Sequence, residues 1–126
     1  MTSLGPRNYL EWRTNSADRA EDAAYAFGRD LIVHCRDAAL STLAADMPEA
    51  TRTVVQEAVD TALHNVMDLL EGFWPLPSGP THSLEYALQV RVHDASGTVV
   101  ETQEISPCKL DLPIGYWKWA RDREFR

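Results

Sequence analysis

Between Pro48 and Glu71 the chain reads PEATRTVVQEAVDTALHNVMDLLE, and this stretch constrains the fold more than any other. At the helical period, Val55, Ala58, Val59, Ala62, Leu63, Val66, Leu69 and Leu70 fall within an arc of about 140°. Opposite them stands a second row, Glu57, Asp60, His64, Asp68 and Glu71, at steps of three and four residues. The pattern predicts one amphipathic helix with its apolar arc turned to a core. The acidic row is then either solvated or a site. Pro48 suits a first turn, where its missing N–H has no helical partner. Gly72 is a natural residue to end the last turn, with Phe73 placed to fold back on it.

What surrounds this helix is bounded by size and charge. A chain of 126 residues makes one domain. It buries about two-thirds of its unfolded surface, enough to fold without a disulfide or a metal. The net charge of −7, with no basic block or stripe, argues against nucleic acid as a partner. No window approaches about 18 uninterrupted apolar residues and the first residues carry no apolar leader core, so the expectation is a cytoplasmic protein that does not enter a membrane. Cys35 and Cys108 fit reduced thiols in such a compartment. Cys35 is expected in the core. Cys108, between Pro107 and Lys109, is expected to be inert despite the neighbouring ammonium.

Read in order, residues 1–14 form an arm that Tyr9, Leu10 and Trp12 can anchor. A first helix is expected from Asn15 or Ser16 to about Asp46, with its outer face carrying Asp18, Asp22, Arg29 and Arg36. It has two apolar ridges. Ala20, Ala24, Phe27, Leu31, His34 and Ala38 make one; Tyr25, Gly28, Ile32, Cys35 and Ala39 make the other. The short Asp46–Glu49 break predicts an antiparallel two-helix hairpin. Residues 72–83, with three prolines and two glycines, connect it to the rest, and Phe73, Trp74 and Leu76 are expected to close off the core.

Leu84, Tyr86, Leu88, Val90 and Val92 alternate with polar residues, the mark of a strand with one face buried. Asp94-Ala95-Ser96-Gly97 predicts a tight turn into a return strand over 98–105. In 109–120, Trp117 and Trp119 share a face only in an extended conformation, so a third strand is expected there. Residues 121–126 read as a charged tail with Phe125 as an anchor. The fold expected is therefore α+β, a helical hairpin (15–71) on a small antiparallel meander (84–120).

One constellation carries potential chemistry. Asp60, His64 and Asp68 stand one turn apart, a spacing at which an imidazole flanked by carboxylates can chelate a divalent ion or serve as an oriented base. A single helix supplies too few ligands for a closed site, and the rest would have to come from His82, Glu85 or His93. No HExxH, Cys-x-x-Cys, G-x-S-x-G or phosphate-cradling loop is present, so no catalytic residue, cofactor or metal is assigned. His34, at the border of the first helix's apolar arc, reads as a half-buried histidine with a hydrogen bond.

The run Val59-Asp60-Thr61-Ala62-Leu63-His64-Asn65, followed by Met67, Leu69 and Leu70, resembles a helix of small uncharacterised bacterial α+β domains, some of immunity-protein type. The resemblance implies a domain that acts by binding and carries over no catalytic residue. The function expected is accordingly protein interaction or self-association without catalysis. A partner with a basic surface would match the acidic chain. The alternative is a metal-dependent or acid–base enzyme centred on His64 with Asp60 and Asp68. A homodimer is expected through the second ridge of the first helix, at Tyr25, Gly28, Ile32 and Ala39, unless the N-terminal arm folds over that strip.

Overall fold

The computed structural model describes Trp12 and residues 18–107 and 110–125. Its elements run α1 (Arg19–Asp30), a π-helical segment (Leu31–Asp37), α2 (Ala38–Leu40), α3 (Glu49–Leu70), β1 (Leu88–His93), β2 (Val99–Ser106) and α4 (Leu112–Asp122). The class is α+β. Asp18 caps α1, its carboxylate accepting from the Glu21 amide at 2.9 Å. Asn15 and Ser16, the caps expected from sequence, lie outside the described residues, as do Tyr9, Leu10 and Cys108. The first helical stretch is continuous only to Leu40, short of Asp46, and its middle is wound as a π-helix.

That wider winding re-registers the helix face. Ile32 and Arg36 turn into the body, whereas His34 and Cys35, on an unbroken α-helix part of the apolar ridges, are exposed. Arg36, expected on the outer face, is buried instead.

α3 spans the expected stretch. Its end is stapled by Gly72, at φ 73°, whose amide donates to Leu69 O, and by Phe73, whose amide donates to Asp68 O. Two antiparallel strands follow, β1 and β2, joined where Asp94 Oδ1 accepts from the amides of Ser96 and Thr98 and Gly97 takes φ 87°. Leu88, Val90 and Val92 are half-buried and Gln89, Arg91 and His93 exposed, so the alternation read from sequence holds within the strand. Leu84 and Tyr86 precede the strand and are exposed.

Among the described residues the sheet has two strands, not three. Where a third was expected, the chain forms α4. Asp111 caps it, accepting from the Ile114 amide at 3.2 Å, and Pro113 sits in its first turn. The objection from sequence is that a helix sends Trp117 and Trp119 to different sides. It does, and both sides are covered, because α4 packs on α1 and on α3. Trp119 lies edge-on to Phe27 (centroids 6.2 Å apart) with its ring over Gly28; Tyr116 and Trp117 face α3. The core gathers Ala23, Ala24, Ile32, Met67, Ile105, Leu112, Tyr116, Trp119, Ala120 and Phe125.

Two of the four residues expected to meet a second copy are thereby used up inside the fold. Ile32 is fully buried and Gly28 is buried beneath Trp119, while Tyr25 is half-buried and Ala39 exposed. The ridge is covered by α4, the segment that the sequence reading makes a strand. A β-carbon at Gly28 would stand 2.2 Å from the Trp119 ring. Gly28→Ala is therefore expected to cost about 1–3 kcal/mol of overpacking or more, with a changed near-ultraviolet circular dichroism band from the displaced indole. Urea melts of the two proteins measure it.

Candidate functional site

α3 is turned inside out relative to its pattern. A helix on a protein surface ordinarily shows charge to water and carbon to the core. Here Asp60, His64, Met67, Asp68 and Glu71 are buried or half-buried, while Thr51, Val54, Ala58, Thr61, Ala62, Asn65 and Val66 are exposed. Of the apolar arc, Val55, Val59, Leu63, Leu69 and Leu70 are half-buried, Leu63 and Leu70 against the core, and Ala58, Ala62 and Val66 are exposed.

The inner row is held by partners that sequence reading does not bring to it. Asp60 accepts from Arg36 Nε at 2.6 Å, from Arg36 Nη2 at 3.3 Å and from the Tyr116 hydroxyl at 2.7 Å. Burial works to raise the Asp60 carboxyl, but the hydrogen bonds from Arg36 and Tyr116 outweigh it and hold the group below the usual aspartate range. The same bond to Asp60 keeps Arg36 charged, with its pKa raised. Tyr116 is pushed up by burial and by its bond to Asp60, so its phenol stays protonated. A buried arginine, carboxylate and phenol thus close a polar strut linking the π segment, α3 and α4.

His64 belongs to a different arrangement. Its ring stacks on Trp117, centroids 5.1 Å and planes 25° apart, and its Nδ1 stands 3.7 Å from Asp68, beyond hydrogen-bond length. Trp117 also has the Arg121 guanidinium 4.2 Å over its ring. Asp60, His64 and Asp68 therefore do not converge. Among the described residues no three His, Cys, Asp or Glu side chains are placed to share one ion. An open cleft of about 520 Å³ lies beside the strut, lined by Arg36, Gln56, Glu57, Asp60, Thr61, Trp117, Ala120 and Arg121. The polar atoms of Arg36 and Asp60 in its wall are already bonded to each other. His82, Glu85 and His93, the candidate remote ligands, are exposed and belong to the connector and hairpin.

The outer face is the other candidate. Its seven exposed residues lie within about 140° centred near Ala58 and none is charged. Val54 is 66% exposed and Val66 44%. Beyond α3 the connector carries further exposed apolar side chains. Phe73 (61%) and Trp74 (44%), expected to seal the core, are instead presented to solvent with Leu84 and Tyr86. Trp74 and Leu84 line one shallow depression of about 390 Å³ with Pro75, Leu76 and Pro77. Three prolines, at 75, 77 and 80, restrict the backbone that follows Phe73 and Trp74. The visible signal in the sequence is the uncharged run of Val, Ala, Thr and Asn along one side of the helix.

Trp12 docks against β2 and the start of α1. Its indole N–H donates to Glu101 at 2.9 Å, and Arg19 pairs with both oxygens of the same carboxylate while lying 4.8 Å over the Trp12 ring. The bonds from Arg19, with smaller contributions from Trp12 and Gln103, draw the Glu101 carboxyl down to about 2 against the opposing effect of burial. A depressed carboxylate contributes stability that is present above its ordinary value and lost as pH falls through the folded one. Trp12 docking is thus expected to hold at neutral pH and to release between about pH 4 and pH 2. The difference in fluorescence between wild type and Trp12→Phe, titrated with acid, reads it; Glu101→Gln should flatten the transition.

Set against known proteins, the chain matches no family model, no curated sequence and no solved structure. Among the described residues no helix is long and apolar enough to cross a membrane. The class is defined by the fold alone: an α+β chain with a buried polar strut and an uncharged outward helix face.

Proposed function

We propose that this protein works by binding another protein chain through the outer face of α3 and the connector that follows it, without catalysis. The observation that carries the reading is the turned helix: its charged row, apart from the exposed Glu57, lies inside, and Val54, Ala58, Thr61, Ala62, Asn65 and Val66 are left to solvent. An exposed apolar surface of this extent, continued by Phe73, Trp74, Leu84 and Tyr86, is a contact surface or an aggregation hazard. The resemblance of residues 59–70 to small bacterial binding domains agrees with the first. The enzyme reading, centred on His64 with Asp60 and Asp68, has less support. Asp60 is occupied by Arg36 and Tyr116, and His64 makes an aromatic stack rather than a hydrogen bond to either acid.

Carbene footprinting of the whole chain tests the reading. Labelling of Val54–Val66 and Phe73–Trp74 is compared between dilute purified protein and the same protein in an extract of the cells that make it. Protection of both segments in the extract is the result expected. Equal labelling in the two conditions would contradict a contact surface there.

A further inference from the structure

Resting on that reading, we infer that the chain bound at this surface is a second copy of the protein, its α3 crossing the first antiparallel about a two-fold axis. A two-fold contact is isologous: residue i meets j on the partner, and j meets i. An antiparallel helix pair meets this condition with any sequence, and it packs evenly along its length where the outward pattern reads the same in both directions, as it does here. At steps of four the exposed ridge runs Val54, Ala58, Ala62, Val66, so each valine faces a valine and each alanine an alanine. The alanines at the centre let the two backbones approach, and the valines close the ends.

Charge permits the same occupant at this ridge. The chain carries −7, so two copies repel through most of their surface. The ridge is free of charged side chains, so two copies can meet there without setting like charges together or burying them unpaired.

Area sets the extent and strength. A helix of 22 residues is about 33 Å long and 10 Å wide, giving roughly 330 Å² per copy. A stable interface takes about 600–1,000 Å² per partner, so the ridge alone is too small. Phe73, Trp74, Leu84 and Tyr86, each about half exposed, add roughly 300–400 Å² when buried. In an antiparallel pair the end of one α3 lies over the beginning of the other, where residues 49–58 are mostly exposed. The aromatics of one connector thus fall on the projecting first turns of the partner's helix. The total of roughly 700 Å² per copy belongs to the weaker class of specific interfaces, so half-dissociation is expected at micromolar concentrations.

The test is light scattering coupled to size exclusion on the full chain across about 1–200 micromolar, with wild type and two variants. Wild type is expected to rise from 14.2 kDa toward twice that mass. Ala58→Lys and Ala62→Glu, each alone, should stay at the monomer mass with an unchanged far-ultraviolet spectrum. Mixed in equal parts they should recover the dimer, because antiparallel crossing sets the introduced ammonium of one copy against the introduced carboxylate of the other. Wild type at monomer mass throughout, or a dimer indifferent to both substitutions, overturns the inference. Failure of the mixture to recover overturns the antiparallel geometry. A monomer whose α3 face is still protected in cell extract would reject the second copy and leave the binding reading standing; absence of protection as well would reject both.

Discussion

Asp60→Ala is expected to cost up to about 3–5 kcal/mol, because it leaves the buried Arg36 guanidinium only its longer bond to Asp37, at 3.3 Å, and removes the acceptor of the Tyr116 hydroxyl. For a chain of this size that is a drop in melting temperature of about 10–20 °C, a large share of a typical domain's stability. Removing both charges is predicted to hurt less than removing one. Arg36→Met with Asp60→Leu deletes two desolvation costs along with the attraction between them, so the double variant should recover most of the loss. Thermal melts of the four proteins give the coupling directly. The enzyme reading expects the opposite pattern, an Asp60 variant that folds normally. The strut also has a sign with pH: Asp60 is held below its ordinary range, so its contribution is full at neutral pH and is lost only in acid, below about pH 4.

Ile32→Asp is expected to abolish folding. The side chain is fully buried beside α4, so the substitution removes aliphatic packing worth about 2–5 kcal/mol and adds a carboxylate with no partner. The sum exceeds the whole stability of many domains. Val54→Asp, on the exposed ridge, is expected to leave the dilute monomer within about 0.5 kcal/mol of wild type. Urea denaturation at low protein concentration separates the two. A soluble, folded Ile32→Asp monomer would mean that this ridge, not the face of α3, is the surface left over.

That reversal shows which parts of the molecule are legible from sequence. The α3 stretch, its Gly72 cap and the β1–β2 turn can be read because each is decided locally, by period, by positive φ and by Asx hydrogen bonding. The face that α3 buries cannot. A helical wheel ranks sides by carbon content, and it counts acids as wet unless a partner is in view. Arg36 is that partner, one turn on from the buried Ile32 and buried with it. The wider turn of residues 31–37 swings Cys35 further from Ile32 and out to solvent, where the α-helical pattern puts it inside. The error over 109–120 has a similar origin. Two tryptophans on different sides exclude a surface helix but not one lodged between two others. The capping signal, Asp111 followed by Pro113, is present and points to the helix. In the connector, the rule that large apolar residues pack inward fails at Phe73 and Trp74, which stand exposed.

Which side of α3 meets water decides the strut and the contact surface alike, and thiol accessibility at nanomolar protein reads that side without regard to assembly. In a background lacking Cys35 and Cys108, single cysteines at Ala58, Thr61 and Ala62 are expected to react with maleimide at the rate of an exposed thiol. A cysteine at Met67, which is fully buried, is expected to be protected by orders of magnitude. Protection at 58 and 62 with free reaction at 67 would contradict the inverted helix, and with it the strut and the contact surface together.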